Sequence, residues 1–316
     1  MTHRAAILCP IDFSDASAGA LRYAAVVAAH FDAPLRVVTV ENPLLTEALD
    51  LGTGVMWTPD DCTRELQDFL ASTFGPDLPA LHDLTYEVAV GKPAEEILRI
   101  AADHSCRLIV MSSHGLTGAR KLFFGSTTER VLRETTVPVV VTPAHDSGPL
   151  TREDAKRLLR RLLVPIDLSG GSVDQAQVAR TIAQTLDLPL ILAHVIEPVR
   201  THLAARLHLP GIQADRRERA EERLRELLAG WPATIHAEAL VVYGDPAEEL
   251  AKVAHDRQVG LIVVGLHGSP VLGPRMGSVT YRLLCLTQTV VLAIPPRRGG
   301  VSDDDLRDGD AVGAKN

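Results

Sequence analysis

Short apolar runs alternate along the chain with segments whose apolar positions recur at helical spacing. Leu35 to Val40 and Leu190 to Val195 are largely apolar along their whole length, which is typical of parallel strands buried on both faces. The segment before the first of these runs has Leu21, Ala24 and Ala28 at spacings of three and four, which predicts a helix. Strand and helix therefore alternate, and this order predicts an α/β fold with a parallel sheet.

The same order of elements occurs in both halves of the chain. The first strands end at Asp12 and Asp167. The later strands are predicted over 35–40, 86–90, 108–111 and 137–141, and over 190–195, 238–242, 261–264 and 290–294. Helices are predicted over 59–73 and 128–133, over 214–228, and from Pro93 and Pro246, since proline suits the first helical position. The pattern predicts two tandem Rossmann-like domains, each a five-stranded doubly wound parallel sheet flanked by helices.

Three separate landmarks repeat at nearly the same offset. Asp167 follows Asp12 by 155 positions, and Gly244 and Gly268 follow Gly91 and Gly115 by 153. Such an offset indicates duplication of a whole domain, because solenoid repeats have periods of roughly 20 to 50 residues. We therefore predict domains over 1–147 and 155–298, joined by a polar linker within 144–160. The segment 299–316 is predicted to be a disordered tail, and Glu41 to Trp57 a surface excursion.

Composition narrows the class of protein. The 316 residues carry a formal net charge of −8, which argues against a general nucleic-acid binder, because phosphate neutralisation needs clustered Lys and Arg. The four cysteines have no C-x-x-C spacing and are interpreted as reduced packing residues. No apolar run approaches the ~20 residues that span a bilayer, and the N-terminal apolar segment is too short for a signal peptide. We therefore predict a cytoplasmic protein without a membrane partner.

Glycine-bearing loops follow the fourth strand of each half. Ser112-x-x-Gly115 precedes nine residues and then Gly125-Ser126, at the start of a predicted helix. Glycines allow backbone amides to approach a ligand, and a helix N-terminus presents unpaired N–H groups to an anion, so the pattern favours a phosphate site. The alternative is that Ser126 caps the helix in a capping box with Glu129. The second half has Gly265-x-x-Gly268, eight residues and then Gly277-Ser278.

Asp12 and Asp167 lie where a first strand turns toward its helix. A carboxylate there can accept a hydrogen bond from a ribose hydroxyl or hold a cation, and it can equally cap the following helix. His114 and His267 precede glycines in the later loops. Because neither has a sequence-local pairing with a Ser, Cys or carboxylate of the kind that activates a nucleophile, loop packing or a polar contact is favoured over catalysis.

The combined motifs resemble those of the universal stress protein family. They are Pro-Ile-Asp-Phe-Ser at the first strand, Gly-Lys-Pro-Ala-Glu-Glu-Ile at Gly91, and Met-Ser-Ser-His-Gly through Phe-Gly-Ser-Thr-Thr-Glu-Arg-Val-Leu before Pro138. The likeness extends over nearly all of both halves and implies a tandem member with an α/β fold. It also implies ATP as ligand, alone or with Mg²⁺, bound through G-x-x-G, nine residues and then G-S or G-T.

The resemblance also implies which residues contact the nucleotide. In the first half these are Pro10, Asp12, Val40 and Met111 for the adenosine, with Ser112, Gly115, Gly125, Ser126 and Thr127 along the phosphate loop. The matching positions in the second half are Pro165, Asp167, Val195, Val264, Gly265, Gly268, Gly277, Ser278 and Val279. Ser112 replaces the first glycine of the motif, and the second loop is one residue shorter and carries Pro270 and Pro274. We therefore expect the first domain to be the nucleotide site.

Two other functions remain as alternatives. Ser169-Gly170-Gly171-Ser172-Val173-Asp174 resembles the phosphate loop of ATP-pyrophosphatases, with one extra residue before the aspartate. Against this, the first half has no glycine pair there, and Ser172 with Gln175 has the spacing of a capping box. The second alternative is a dimerisation scaffold that binds no nucleotide.

The sequence therefore predicts an ATP-binding stress-response protein that acts as a regulator or protective factor, through an unidentified protein partner and without efficient turnover. Its fifth strands are short and apolar, and the resemblance implies that they pair with each other within one chain. Larger homo-oligomers could form through the helical faces.

Overall fold

The computed structural model describes residues 4–43, 59–75, 83–115, 125–149, 151–198, 210–266 and 276–296. The strands of the first half are Ile7–Ile11 (β1), Leu35–Glu41 (β2), Leu84–Val90 (β3), Leu108–Ser112 (β4) and Val139–Thr142 (β5). Those of the second half are Leu162–Pro165 (β6), Leu190–Ile196 (β7), Ala237–Tyr243 (β8), Leu261–Gly265 (β9) and Val290–Ile294 (β10).

Helices separate these strands as the hydrophobic pattern predicts. In the first half they are Asp15–Phe31 (α1), Pro59–Phe74 (α2), Pro93–Asp103 (α3) and Ser126–Glu134 (α4). A linker helix, Arg152–Leu158 (α5), precedes the second half. The second half then has Gly170–Leu186 (α6), Pro210–Ala229 (α7), Pro246–Asp256 (α8) and Ser278–Leu286 (α9).

Each half is a parallel five-stranded sheet with the order of a doubly wound fold. The strand order is β3-β2-β1-β4-β5 in the first half and β8-β7-β6-β9-β10 in the second, and the neighbours within each half pair in parallel. In the first half, strands after β1 are added toward one edge of the sheet and then, from β4, toward the other edge. The order of strands therefore switches between β1 and β4, and likewise between β6 and β9 in the second half. Such folds bind ligands at these switch points. The predicted fold is confirmed.

The two domains join through their last strands. β5 and β10 pair antiparallel, with Val140 opposite Leu292, so that one ten-stranded sheet runs through the whole molecule. The predicted pairing of the fifth strands is therefore present. Because this central pair is antiparallel, every strand of one domain runs opposite to those of the other. The carboxyl ends of the strands consequently lie on opposite edges of the common sheet.

Side chains of the ten strands feed two hydrophobic cores, one on each face. Leu8, Val139 and Ala293 belong to the core that also contains residues of α3, α4, α8 and α9. Ile7 and Leu292 belong to the core that contains residues of α1, α2, α6 and α7. This division follows from the alternation of side chains along a strand, and it places the same two helices of each domain on the same face.

The linker is attached to both domains by close contacts. Tyr23 on α1 donates its hydroxyl to Asp146 Oδ2 at 2.8 Å. Burial and the Asp146 carboxylate raise the pKa of Tyr23 well above its usual range. At the other end of the linker, a Cβ on Gly260 would lie only 2.0 Å from the Leu158 carbonyl oxygen. The segment between the domains is thus ordered by specific packing at both ends.

The predictions about the cysteines, the strand bounds and the two irregular segments can also be compared with the structure. None of the four cysteines is in a disulfide, and Cys9, Cys62 and Cys106 are buried. The predicted strand bounds lie within two residues of the observed ones, and the fifth strand of the first half begins at Val139 instead of Val137. Most of the Glu41 to Trp57 excursion and the whole 299–316 tail lie outside the described residues.

The central strand pairing predicts a specific crosslink. With the four native cysteines replaced by serine or alanine, Val140→Cys and Leu292→Cys should form an intrachain disulfide under mild oxidation, because directly opposed strand residues bring their Cβ atoms within about 5.5 Å. Mass spectrometry of peptides from the unreduced monomer measures this. Val140→Cys with Ala293→Cys, which is out of register, is the control. Failure of every in-register pair in folded protein would contradict the interface.

Candidate functional site

A tight turn places an aspartate at the carboxyl end of the first strand in each domain. Asp12 and Asp167 are each followed by a residue in the left-handed region, Phe13 with φ 62° and Leu168 with φ 65°. For bulky residues this conformation is strained, and such strain occurs preferentially at functional sites. Both domains keep the same turn, which indicates a shared requirement for the position of the carboxylate.

The aspartate holds the residue that caps the helix. Asp12 Oδ1 accepts hydrogen bonds from the Ser14 backbone N–H at 3.3 Å and from the Ser14 hydroxyl at 2.5 Å. Ser14 is the N-cap of α1, and its hydroxyl oxygen accepts from the Ser17 N–H. The alternative in which Asp12 itself caps the helix is therefore wrong. Asp167 holds Ser169 in the same way, at 2.9 and 2.6 Å.

Gly115, where the glycine loop of the first domain begins, lies against this carboxylate. A Cβ on Gly115 would fall 1.9 Å from Asp12 Oδ2, so only glycine permits the observed approach. Ser112 is buried, and its hydroxyl donates to the His114 carbonyl at 2.7 Å. The His114 ring lies 3.0 Å from the Ser113 hydroxyl, which is the polar contact predicted for it. The structure thus brings together two motifs that are about a hundred residues apart.

The helices after the glycine loops begin without a side-chain cap. Gly125 is the N-cap of α4 and Gly277 that of α9, and neither position has a side-chain capping hydrogen bond. Ser126 is the first helical residue, so the alternative in which Ser126 caps α4 is wrong, and Glu129 pairs with Arg133 instead. The N–H groups of the first turn therefore receive no capping side chain, as an anion site requires.

A cavity of about 490 Å³ opens at the carboxyl edge of the second domain. It lies between segments that are far apart in the sequence and meet only in the fold. The predicted site residues that line it are Pro165, Asp167, Val195, Val264, Gly265, Gly277, Ser278 and Val279. His267 and Gly268 lie outside the described residues. All the second-domain residues predicted for the site whose positions are described thus surround one space.

The corresponding residues of the first domain also meet at one edge. Pro10, Val40 and Met111 lie at or near the carboxyl ends of β1, β2 and β4, which are neighbours in the sheet. Pro10 and Met111 are buried and Val40 is half-buried. Thr127 is the second residue of α4. The nine residues between Gly115 and Gly125 lie outside the described residues.

Sequence reasoning missed five polar residues that line the second-domain cavity. Gln175 is buried, and its side-chain amide donates to the carbonyl oxygens of Pro165 at 2.9 Å and Val263 at 2.7 Å. The predicted Ser172–Gln175 capping box is therefore wrong, and the segment from Ser169 forms the cap and first turns of α6. The other missed residues are His194, Glu197, Arg216 and Thr280.

The missed residues mark a difference between the two domains. At the positions equivalent to Gln175 and His194 the first domain has Ala20 and Thr39. His194 Nδ1 lies 2.8 Å from the Ile166 carbonyl, so Nδ1 carries the proton and Nε2 is the acceptor in the neutral ring. A position-by-position comparison of the repeats would have revealed both residues. The second-domain site therefore has larger polar side chains at these two positions than the corresponding edge of the first domain.

Comparison with known proteins finds the same protein family in both halves of the chain. The model of the "Universal stress protein family" matches residues 4–143 and 159–295. A universal stress protein of Mycolicibacterium smegmatis is 26% identical over 307 residues, which are 92% of this chain and 97% of that protein. The universal stress protein YxiE of Bacillus subtilis is 29% identical over 143 residues, 43% of this chain and 96% of its own.

A solved structure shares the fold. The crystal structure of a universal stress protein from Archaeoglobus fulgidus has a TM-score of 0.61 with 20% identity, covering 95% of this chain and 97% of that one. Separately, none of the helices in the described ranges is both long and apolar enough to cross a membrane.

The Gln175 contacts lead to a stability prediction. Gln175→Leu should lower the free energy of unfolding by about 1 to 3 kcal/mol, because it removes a donor shared by two buried carbonyl groups. Urea denaturation followed by circular dichroism measures the change. Gln177→Leu, two residues away on the same helix and half-buried, is the matched control. Equal stability of the two variants would contradict a structural role for the Gln175 amide.

Proposed function

The chain belongs to the universal stress protein family, and we propose that it is a stress protein that binds an adenine nucleotide at the carboxyl ends of its parallel strands. The observation that carries the proposal is the meeting of sequence-distant residues around the 490 Å³ cavity of the second domain. Its volume lies within the range of about 300 to 1,000 Å³ that is usual for small-molecule sites.

The residues present fit the three parts of a nucleotide. Apolar side chains at the strand ends, Val195 and Val264 in the second domain and Val40 and Met111 in the first, suit the faces of an adenine ring. Asp12 and Asp167 suit a ribose hydroxyl or a Mg²⁺ ion, since each carboxylate stands at the strand end in a constrained turn. The uncapped first turns of α4 and α9 suit phosphates.

The residues that line the second-domain cavity include one guanidinium, that of Arg216, beside the carboxylates of Asp167 and Glu197. Arg216 lines the cavity, and its guanidinium donates to the Glu197 carbonyl at 3.0 Å. A guanidinium held at the rim in this way can pair with a phosphate oxygen. The triphosphate chain would then lie between Arg216 and the N-terminus of α9, which both carry positive charge or partial positive charge.

The two domains differ in what supports binding. The first has the nine-residue spacing of the family motif between Gly115 and Gly125. The second has the shorter loop but the cavity with Gln175, His194 and Arg216. The expectation that the first domain is the principal site stays a prediction, and we propose the second domain as a further candidate because of its cavity.

We propose binding without efficient turnover as the basis of function. Both edge carboxylates already accept two hydrogen bonds from a capping serine, Asp12 from Ser14 and Asp167 from Ser169. These bonds hold the Oδ1 atom of each carboxylate on its capping serine, so this oxygen is not positioned to take a proton from an attacking water. The nucleotide would then act as a regulatory ligand in a cytoplasmic protein whose state is read by a protein partner.

Glycine substitutions test the site in each domain. We expect the parent protein to bind ATP with a Kd in the micromolar range, a binding free energy of about −8 kcal/mol. Gly125→Val should abolish this binding in the first domain, and Gly277→Val should abolish it in the second. Each places a branched side chain where the ligand approaches the helix N-terminus. A Cβ at Gly277 meets no atom within 4 Å, and one at Gly125 lies 3.1 Å from the Ser113 carbonyl. Isothermal titration calorimetry of the full chain gives affinity and stoichiometry.

Gly230→Val is the matched control, because a Cβ there is also unobstructed, with the nearest atom 4.0 Å away. The proposal fails if ATP does not bind to the parent protein, or if the double variant, folded by circular dichroism, binds as well as the parent. Loss in Gly125→Val alone assigns the site to the first domain. Loss in Gly277→Val alone assigns it to the second.

Turnover gives a separate prediction. ATP hydrolysis by the purified full chain should be far slower than ~1 s⁻¹, the low end for ordinary enzymes. Release of inorganic phosphate, measured with ATP and Mg²⁺ in excess, checks this rate. Asp12→Asn and Asp167→Asn serve as controls for contaminating activity. Turnover above ~1 s⁻¹ that disappears in either variant would overturn the non-enzymatic proposal.

A further inference from the structure

The junction strands β5 and β10 have helices packed on both faces of the sheet, and the two faces differ in how these helices are placed. On one face, α4 and α9 contribute Val131, Leu132, Leu283 and Leu284 to the core beneath them. Val140 and Leu292 point toward the other face, and on that face α1 and α6 lie on either side of the junction strands. The doubly wound order places those helices over the inner strands, and a space remains between them.

This space is a cavity of about 470 Å³. Its floor includes Val140 and Leu292 from the paired strands, its walls are α1 and α6, and the linker helix α5 lies at its rim. Val140 is only half-buried although it lies in a central strand of a ten-stranded sheet. Val178 and Ile182 on α6 are also half-buried, so apolar side chains line a space that protein atoms do not fill.

One end of the cavity is cationic. The Arg107 guanidinium lies 4.6 Å from the centre of the Phe31 ring, and the His30 ring meets Phe31 edge to face. Arg152 on α5 contacts the His30 Nδ1 atom at 2.5 Å. Lys156 lines the same cavity, and the lining residues that the structure describes include no Asp or Glu. We name Arg107, His30, Arg152 and Lys156 the basic corner.

The opposite end lacks these charges. The repeat offset makes Thr185 and Leu186 the equivalents of His30 and Phe31, and both line the cavity. The position equivalent to Arg107 is Gly260, which packs against the end of α5. One end therefore bears positive charge and the other is neutral and apolar, in a chain whose formal net charge is −8.

We propose that this cavity binds an amphipathic carboxylate with one long hydrocarbon chain, a free fatty acid anion, with its carboxylate at the basic corner. Its chain would lie along Val140 and Leu292 toward Leu186. Arg152 and Arg107 supply the charge, since burial and the neighbouring Arg152 and Lys156 lower the pKa of His30 and keep its ring neutral. The lining is predominantly hydrocarbon, which excludes a highly charged ligand such as a nucleotide from its interior.

The site is independent of the proposed nucleotide site. Ile7 and Leu108, which line the cavity, begin β1 and β4. Asp12 and Gly115 follow the other ends of the same strands. A fatty acid and a nucleotide could therefore be bound by one molecule at the same time, and either proposal can fail without the other.

Displacement of the fluorescent fatty acid cis-parinarate from the full chain tests the proposal. Palmitate should displace it with one site per chain, and affinity should rise by roughly three- to four-fold for each methylene added between laurate and palmitate. Hexadecanol should bind at least ten-fold more weakly than palmitate because it lacks the charge. Absence of saturable binding of palmitate, or equal affinity of laurate and palmitate, would overturn the proposal.

Paired variants locate the ligand. Val178→Trp should fill the cavity and lower palmitate affinity at least ten-fold, whereas Val173→Trp, on the same helix but outside this cavity, should not. Arg152→Gln should weaken palmitate at least five-fold and leave hexadecanol unchanged, with Arg157→Gln on the same linker helix as control. Unchanged palmitate binding in both Val178→Trp and Arg152→Gln would place the fatty acid elsewhere and overturn the assignment.

Three further outcomes would favour another occupant and overturn the proposal. If a chain ending at Pro296 binds palmitate and the full chain does not, residues 297–316 occupy the cavity and the proposal is wrong. If palmitate binds only to a monomeric fraction and a concentration-dependent dimer forms without it, a second copy is the natural occupant. Phosphatidylglycerol vesicles that bind the chain while free palmitate does not would indicate a membrane surface instead.

Discussion

The antiparallel pairing of β5 with β10 is the interaction on which the rest of the structure depends. Without it, each five-stranded sheet would end in a short apolar strand with unpaired backbone groups, which invites aggregation. Pairing within one chain satisfies both edges at once and requires no second molecule. It also turns one domain against the other, so that the two carboxyl edges, and the two candidate nucleotide sites, face in opposite directions.

Duplication followed by divergence explains the asymmetry of the molecule. Both domains keep the strained turn at Phe13 and Leu168, whose energetic cost of about 1 to 3 kcal/mol each is compensated by the surrounding structure. Side chains at equivalent positions have changed elsewhere, as at Ala20 and Gln175. The two carboxyl edges thus share a backbone and differ in chemistry. The same divergence leaves positive charge at only one end of the cavity at the junction.

The errors in the two capping boxes that the structure contradicts have one physical cause. Ser126 with Glu129, and Ser172 with Gln175, both have the spacing of a capping box, and spacing alone cannot tell where a helix begins. Long-range contacts decided these positions. Gln175 donates to two strand carbonyl groups, and the Gly125 N–H donates to the Ser113 carbonyl directly before α4. Local capping energies of about 1 kcal/mol are easily outweighed by such contacts.

The sequence by itself determined the alternation of strands and helices, the duplication and the family, because apolar periodicity and repeated motifs are local properties of the chain. Apolar fifth strands at the ends of the domains indicated an edge that invites pairing, and the family resemblance implied that the two strands pair with each other within one chain. Only the tertiary structure decided that Asp12 touches Gly115, that Gln175 spans two strands, and that α1 and α6 leave a cavity with a basic corner. These features join residues far apart in the chain, and their relative positions depend on how the whole sheet twists and packs.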